Sequence, residues 1–166
     1  MDINFETTTM IISIVLTGLT AGLCFTWTNA ITPGIGQLDD LSFLLSFQQM
    51  NRAIINPIFL IIFFGPFISN SYVAFLKYQH QNASFWIFLA ASLTFTIGVV
   101  FITILKNVPL NEVLDKTNLA DASLEELKML RKRFENPWKQ WHFIRTISST
   151  ISFVLLLVGS LYYHQS

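Results

Sequence analysis

Four stretches of this 166-residue chain hold no Asp, Glu, Lys or Arg: Thr7–Leu38, Ala53–Leu76, Tyr78–Leu105 and Thr146–Ser166. Each contains an apolar run of about 18–25 residues, enough helix at about 1.5 Å per residue to cross a hydrocarbon layer roughly 30 Å thick. A water-soluble bundle would alternate charged and apolar faces along every helix, whereas these windows are apolar all round. The expected fold is all-α: a four-helix transmembrane bundle forming one integral membrane domain over residues 1–166, with spans at about 8–29, 57–76, 85–105 and 144–163.

Composition points the same way. Only 12% of the residues are charged, against about 25% in an ordinary soluble domain, and sixteen are Phe. The net charge of zero carries no nucleic-acid footprint. The single cysteine, Cys24, lies inside the first span, can form no internal disulfide, and reads as packing. The leader before that span carries Asp2 and Glu6 without Lys or Arg, and no small-residue cleavage site follows, so the span is expected to be retained.

Within span one, Ser13, Thr17, Thr20, Cys24 and Thr28 recur at helical spacing, and Gly18 to Gly22 is a small-xxx-small element suited to close helix packing, here or with a second copy in a homo-oligomer. Pro33-Gly34 is expected to end the span, with Asp39 or Asp40 as the N-cap of a new helix that passes into span two and is kinked at Pro57 and at Gly65-Pro66. Carbonyls freed by such prolines must find partners inside the protein. Phe85 and Trp86 read as an interfacial anchor of span three. Ser123 and Glu126 form a capping-box pair ahead of Leu124, Leu127, Leu130 and Phe134, predicting an amphipathic helical insertion between spans three and four that stops at Asn136-Pro137. Asn82-Ala83-Ser84 matches a glycosylation sequon but falls in a tight turn.

Of the ten Lys and Arg residues, Lys77 alone lies on the side shared by the two termini; Arg52 and the eight from Lys106 to Arg145 lie on the other. The positive-inside rule then predicts termini outside and the long connections cytoplasmic.

Three polar groups converge on that basic end. Gln48, Arg52 and Asn56 are spaced i, i+4, i+8 with Asn51 beside them, a stripe that serves either as a hydrogen-bond ladder or as part of a site. Asn107 and Asn111 flank Pro109 at the mouth of span three, and their amides suit a helix cap or a ligand oxygen. Trp138, Trp141, His142 and Arg145 follow at i, i+3, i+4 and i+7. These four suit an aromatic belt with a snorkelling Arg, or a site in which His142 moves a proton. His80, His142 and His164 are scattered with no ligand spacing, so no resident metal or other cofactor is expected. No phosphate-binding glycine loop is present.

Trp27, Pro33-Gly34-Ile35 and Leu38-Asp39, then Gln48-x-Met50-Asn51-Arg52-Ala53-Ile54-x-Asn56-Pro57-x-Phe59, then Asn107-Val108-Pro109-Leu110-Asn111, then Trp138-x-x-Trp141 and Ile144-Arg145-Thr146 stand in an order that resembles the anthrone oxygenase-like family of small membrane proteins. The likeness runs over nearly the whole chain. It implies a four-span bundle and, from the fungal branch, oxidation of a planar aromatic or quinol-like compound such as an anthrone, with O₂ as co-substrate. Many relatives read Trp-Asn-His before the Arg, whereas this chain reads Trp141-His142-Phe143, which moves the imidazole about 100° around a helix. The resemblance alone therefore does not transfer the base to His142.

As a monooxygenase, the chain would use His142 as base, Asn107, Asn111 and Arg145 to hold an enolate oxygen, and Trp138, Trp141, Gln48, Asn51, Arg52 and Asn56 to bind a small hydrophobic aromatic molecule. A non-catalytic membrane protein that binds a quinone-like lipid, or packs in a larger complex, is the rival expectation. A haem protein with His142 as axial ligand is the third and predicts a Soret band.

Overall fold

Each helix of this protein starts on a side chain that satisfies its first amides, as helix N-termini require. The structure is a computed structural model that describes residues 4–79 and 82–163; His80, His164 and Asp2 lie outside the described residues. Helix α1 spans Phe5–Ile35, with Asn4 Oδ1 accepting from Thr7 N at 2.9 Å. Helix α2 spans Asp40–Ile54 behind Asp39, which accepts from Ser42 N at 3.0 Å. That hydrogen bond holds the Asp39 carboxyl below its ordinary range. Helix α3 spans Pro57–Lys77 behind Asn56, and α4 spans Ala83–Lys116 behind Asn82. Helix α5 spans Leu124–Tyr163, and Ser123 and Glu126 form the expected capping box: Ser123 N donates to Glu126 Oε2 at 2.8 Å and Glu126 N to Ser123 Oγ at 3.4 Å.

No strand occurs among the described residues. Helices α1, α3, α4 and α5 are long and apolar enough to cross a membrane, which makes this a multi-pass membrane protein. They form a ring in which α1 packs on α3 and α5, and α4 on the same two. Ile12, Leu19, Ile61, Ile68, Ile97, Leu105, Ile147 and Leu161 are exposed on the outside, where lipid solvates them at no cost. The inside carries buried Ser13, Thr17, Asn70, Ser92, Ser149 and Ser152. Thr17 and Asn70 pair across α1 and α3, and Ser152 Oγ donates to Ala91 O at 2.9 Å across α5 and α4. Gly98 sits so close to Ser148 that any Cβ would collide with it. Of the small-xxx-small pair, Gly18 meets Phe153 while a Cβ on Gly22 would enter open space.

The prolines depart from expectation in informative ways. Pro57 does not kink a continuous helix: the chain breaks at Ile55–Asn56, where Asn56 is extended as the residue before proline prefers, and Pro57 starts α3. Pro33-Gly34 lies inside the last turn of α1, after a π-helical turn over Trp27–Ile31. Pro137 does not stop the amphipathic helix, which continues into the fourth span as one helix. An interior proline costs about 3 kcal/mol. Phe134 and Trp138, both buried on either side of it, offset that at roughly 1.5–3 kcal/mol each. Pro66 removes the amide that would pair with Ile62 O; Thr20 Oγ1 of α1 donates to that carbonyl instead, at 2.7 Å.

Above the spans, α2 lies against α5 and the end of α4, burying Phe43, Leu44, Phe47, Leu114, Leu119, Leu127, Phe134 and Trp138 with Trp27. This apolar cap forms the roof of the site.

Candidate functional site

Four stripes, drawn from all five helices, turn toward a single cavity of about 300 Å³, at the lower end of small-molecule pockets. From α1 come Thr20, Leu23, Cys24 and Trp27, and from α4 Thr103, Asn107 and Asn111. From α5 come Trp138, His142 and Arg145, and from the α2–α3 joint Asn51, Arg52, Ile55, Phe59 and Phe63. Two of these stripes rest on π-helical turns, Trp27–Ile31 and Thr103–Asn107, a widening that commonly marks functional sites.

The imidazole is held on two sides. Its ring stacks on Trp138, centroids 4.6 Å apart and planes 12° apart. Its Nε2 lies 3.1 Å from Cys24 O, which also accepts from Thr146 Oγ1 at 3.2 Å. A carbonyl can only accept, so Nε2 carries a hydrogen, and in the neutral ring the lone pair then lies on Nδ1. Asn107 Nδ2 donates to Trp138 O at 3.3 Å, and Trp138 Nε1 donates to Asn111 Oδ1 at 2.8 Å. The two amides thus grip one tryptophan.

Among the described residues, six buried side-chain atoms lack a hydrogen-bond partner, and four belong to cavity-lining residues: Asn51 Nδ2, Asn107 Oδ1, His142 Nδ1 and Arg145 Nε. These residues are 9%, 1%, 3% and 8% exposed, so bulk water does not satisfy them. Arg145 forms no ion pair among the described residues; its guanidinium rests near the Phe63 ring, 5.8 Å from the centroid. A buried guanidinium beside a mostly apolar hollow favours an oxyanion within its reach. At the rim, Arg52 Nε pairs with Asp115 Oδ1 at 2.6 Å, and Glu112 with Lys116 at 3.1 Å.

The other polar positions read from the sequence serve elsewhere. Gln48 Nε2 donates to Leu114 O and Thr117 O, tying α2 to the end of α4. Asn56 caps α3 and donates to Ala53 O. Trp141 lies under Lys106 Nζ, 5.0 Å from its ring, and does not line the cavity. Cys24, Thr20 and Phe63 were not read as site residues. Thr20, Cys24 and Trp27 nonetheless stand at i, i+4, i+7, the same spacing that marked Trp138, His142 and Arg145. Among the described residues no three His, Cys, Asp or Glu side chains converge.

The chain matches no curated protein and no solved structure. A sequence model of the family described as anthrone oxygenase matches residues 47–155, the stretch that supplies three of the four cavity stripes and all four unpartnered groups. By that match, which covers more than half its length, the chain belongs to the anthrone oxygenase family.

Proposed function

We propose that this protein is a membrane-embedded oxidoreductase that uses O₂ to oxidise a planar aromatic or quinol-like compound, the anthrone type among them, at the cavity lined by all five helices. The carrying observation is that four unpartnered buried groups of complementary character, two donors, one acceptor and one basic nitrogen, belong to residues of one apolar hollow. His142 Nδ1 takes a proton from the activated methylene, and the carbanion delocalises into an enolate. Arg145 Nε and Asn51 Nδ2 donate to the enolate oxygen, where fixed donors in a water-poor site are most effective. Asn107 Oδ1 accepts from a ring hydroxyl. Trp27, Trp138 and Phe63 wall the rings. The enolate passes an electron to O₂ and combines with it at the same carbon, so that CH₂ and O₂ become C=O and H₂O. A second hollow that His142 also lines, with Thr28, Thr32, Pro33, Lys139 and Phe143, gives the proton a route whose polar groups are two hydroxyls and an ammonium.

Both termini face outward and the basic cap faces the cytoplasm, a reading supported by the distribution of Lys and Arg. The test of the activity is O₂ uptake by the detergent-purified chain with a model anthrone. Wild type should consume O₂ and His142→Ala should not; equal uptake by the two rejects His142 as base. Binding of the anthrone without any uptake would leave a non-catalytic carrier.

A further inference from the structure

Cys24 is the chain's one cysteine, sits only 2% exposed, and yet lines the same cavity as the residues that carry the unpartnered groups. Arg145 lines that cavity beside it, and the carbonyl of Cys24 itself fixes the His142 ring. A soft nucleophile, a basic nitrogen and an oxyanion donor therefore border one apolar slot.

We infer that Cys24 is a covalent capture site for planar quinones that retain an open carbon–carbon double bond, such as benzoquinones and naphthoquinones. The sulfur adds to the ring carbon β to a carbonyl. The C=C electron pair moves to the carbonyl oxygen, which Arg145 Nε meets as an anion, and the thiol proton passes to His142 Nδ1 and from there to that oxygen. Transfer of the proton on the substituted carbon to the second carbonyl oxygen restores the aromatic ring as a thioether-bearing hydroquinone. A C–S bond forms, an S–H bond breaks, and the quinone itself takes up the electron pair, so no further oxidant is needed. Quinones fused on both edges have no open double bond to attack and leave Cys24 free. The site thus discriminates between ring systems of similar shape by their reactivity. The inference rests on the proposed ligand class and not on the chemistry with O₂.

The experiment uses the full chain in detergent under anaerobic conditions, with 1,4-naphthoquinone as probe and intact mass as readout. One adduct is expected on wild type and none on Cys24→Ser. 2,3-Dimethyl-1,4-naphthoquinone, whose double bond is blocked, should add nothing itself and should slow labelling several-fold by occupying the cavity. Arg145→Gln should also slow it several-fold; if that variant does not accumulate, the competition arm decides. Labelling only after unfolding in SDS, an adduct that persists in Cys24→Ser, or no slowing by the blocked quinone overturns the inference. Anaerobic labelling together with no O₂ uptake by the unlabelled chain given an anthrone would fail the oxygenase reading alone, and uptake without labelling would fail this one alone.

Discussion

Trp138 Nε1 donates to Asn111 Oδ1 at 2.8 Å, and this hydrogen bond sets the plane against which the His142 ring stacks. Trp138 is 4% exposed, so removing its acceptor leaves a buried N–H unpaired. Asn111→Leu is therefore expected to cost about 1–3 kcal/mol. In a Trp138→Phe background, where the donor is already gone, the further loss on adding Asn111→Leu should be smaller than in wild type. Thermal unfolding in detergent, followed by tryptophan fluorescence for the single variant and by helical circular dichroism for both, measures the difference. An Asn111→Leu loss that is the same in the wild-type and Trp138→Phe backgrounds would show that the bond does not stabilise the fold.

Thr20 and Pro66 should be coupled in the same sense. Thr20→Val strands Ile62 O inside the bundle, because the proline at position 66 supplies no amide to it. In a Pro66→Ala background the helix amide returns and the hydroxyl becomes redundant. The double-mutant cycle is expected to give a coupling of about 1 kcal/mol. Additive effects within error would mean that Thr20 merely fills space.

Spans and caps were legible in the sequence because both depend on local chemistry: charge-free windows read as helices in lipid, and Asp39 and the Ser123–Glu126 pair start helices where their side chains reach the first amides. The prolines were less legible, since their effect is decided by what surrounds them. Pro137 stays inside α5 because Phe134 and Trp138 are anchored in the cap, while Pro57 follows a break that exposes Ile55 and puts Asn56 at a cap position. The candidate site was legible as stripes and not as partners. Trp138, His142 and Arg145 turn inward together, whereas Trp141, which precedes His142 by a single residue, turns toward Lys106. Cys24 was read as packing because its neighbours, Arg145 and His142, are more than a hundred residues away in the chain.

Arg131 holds the turn between α1 and α2. Its Nη2 donates to Gly36 O at 2.7 Å, its Nη1 to Leu38 O at 2.8 Å, and it pairs with Asp40 and Glu135. A lysine cannot reproduce that fork of donors. Arg131→Lys should thus loosen the turn nearly as much as Arg131→Ala, with cleavage near residues 36–40 in limited proteolysis appearing in both. Full protection in Arg131→Lys would reduce the role of Arg131 to charge alone.

Arg52 and Asp115 meet across the rim of the cavity with about half of each side chain exposed. An exposed pair contributes only about 0.2–1 kcal/mol to stability, so Arg52→Ala should barely change the melting temperature. Its position predicts a different effect. The pair ties the end of α2 to the end of α4 over the mouth, and an entering ring system must pass beside it. Breaking it should speed both entry and escape of an anthrone-type ligand, leaving the equilibrium affinity nearly unchanged while association and dissociation rates rise together. Salt should mimic the substitution in wild type, because it screens the same charges, and should do nothing further to Arg52→Ala. Stopped-flow quenching of the cavity tryptophans by a non-reactive planar quinone gives both rates. Rates that are the same in wild type and Arg52→Ala at every salt concentration would remove the rim pair from the path of the ligand.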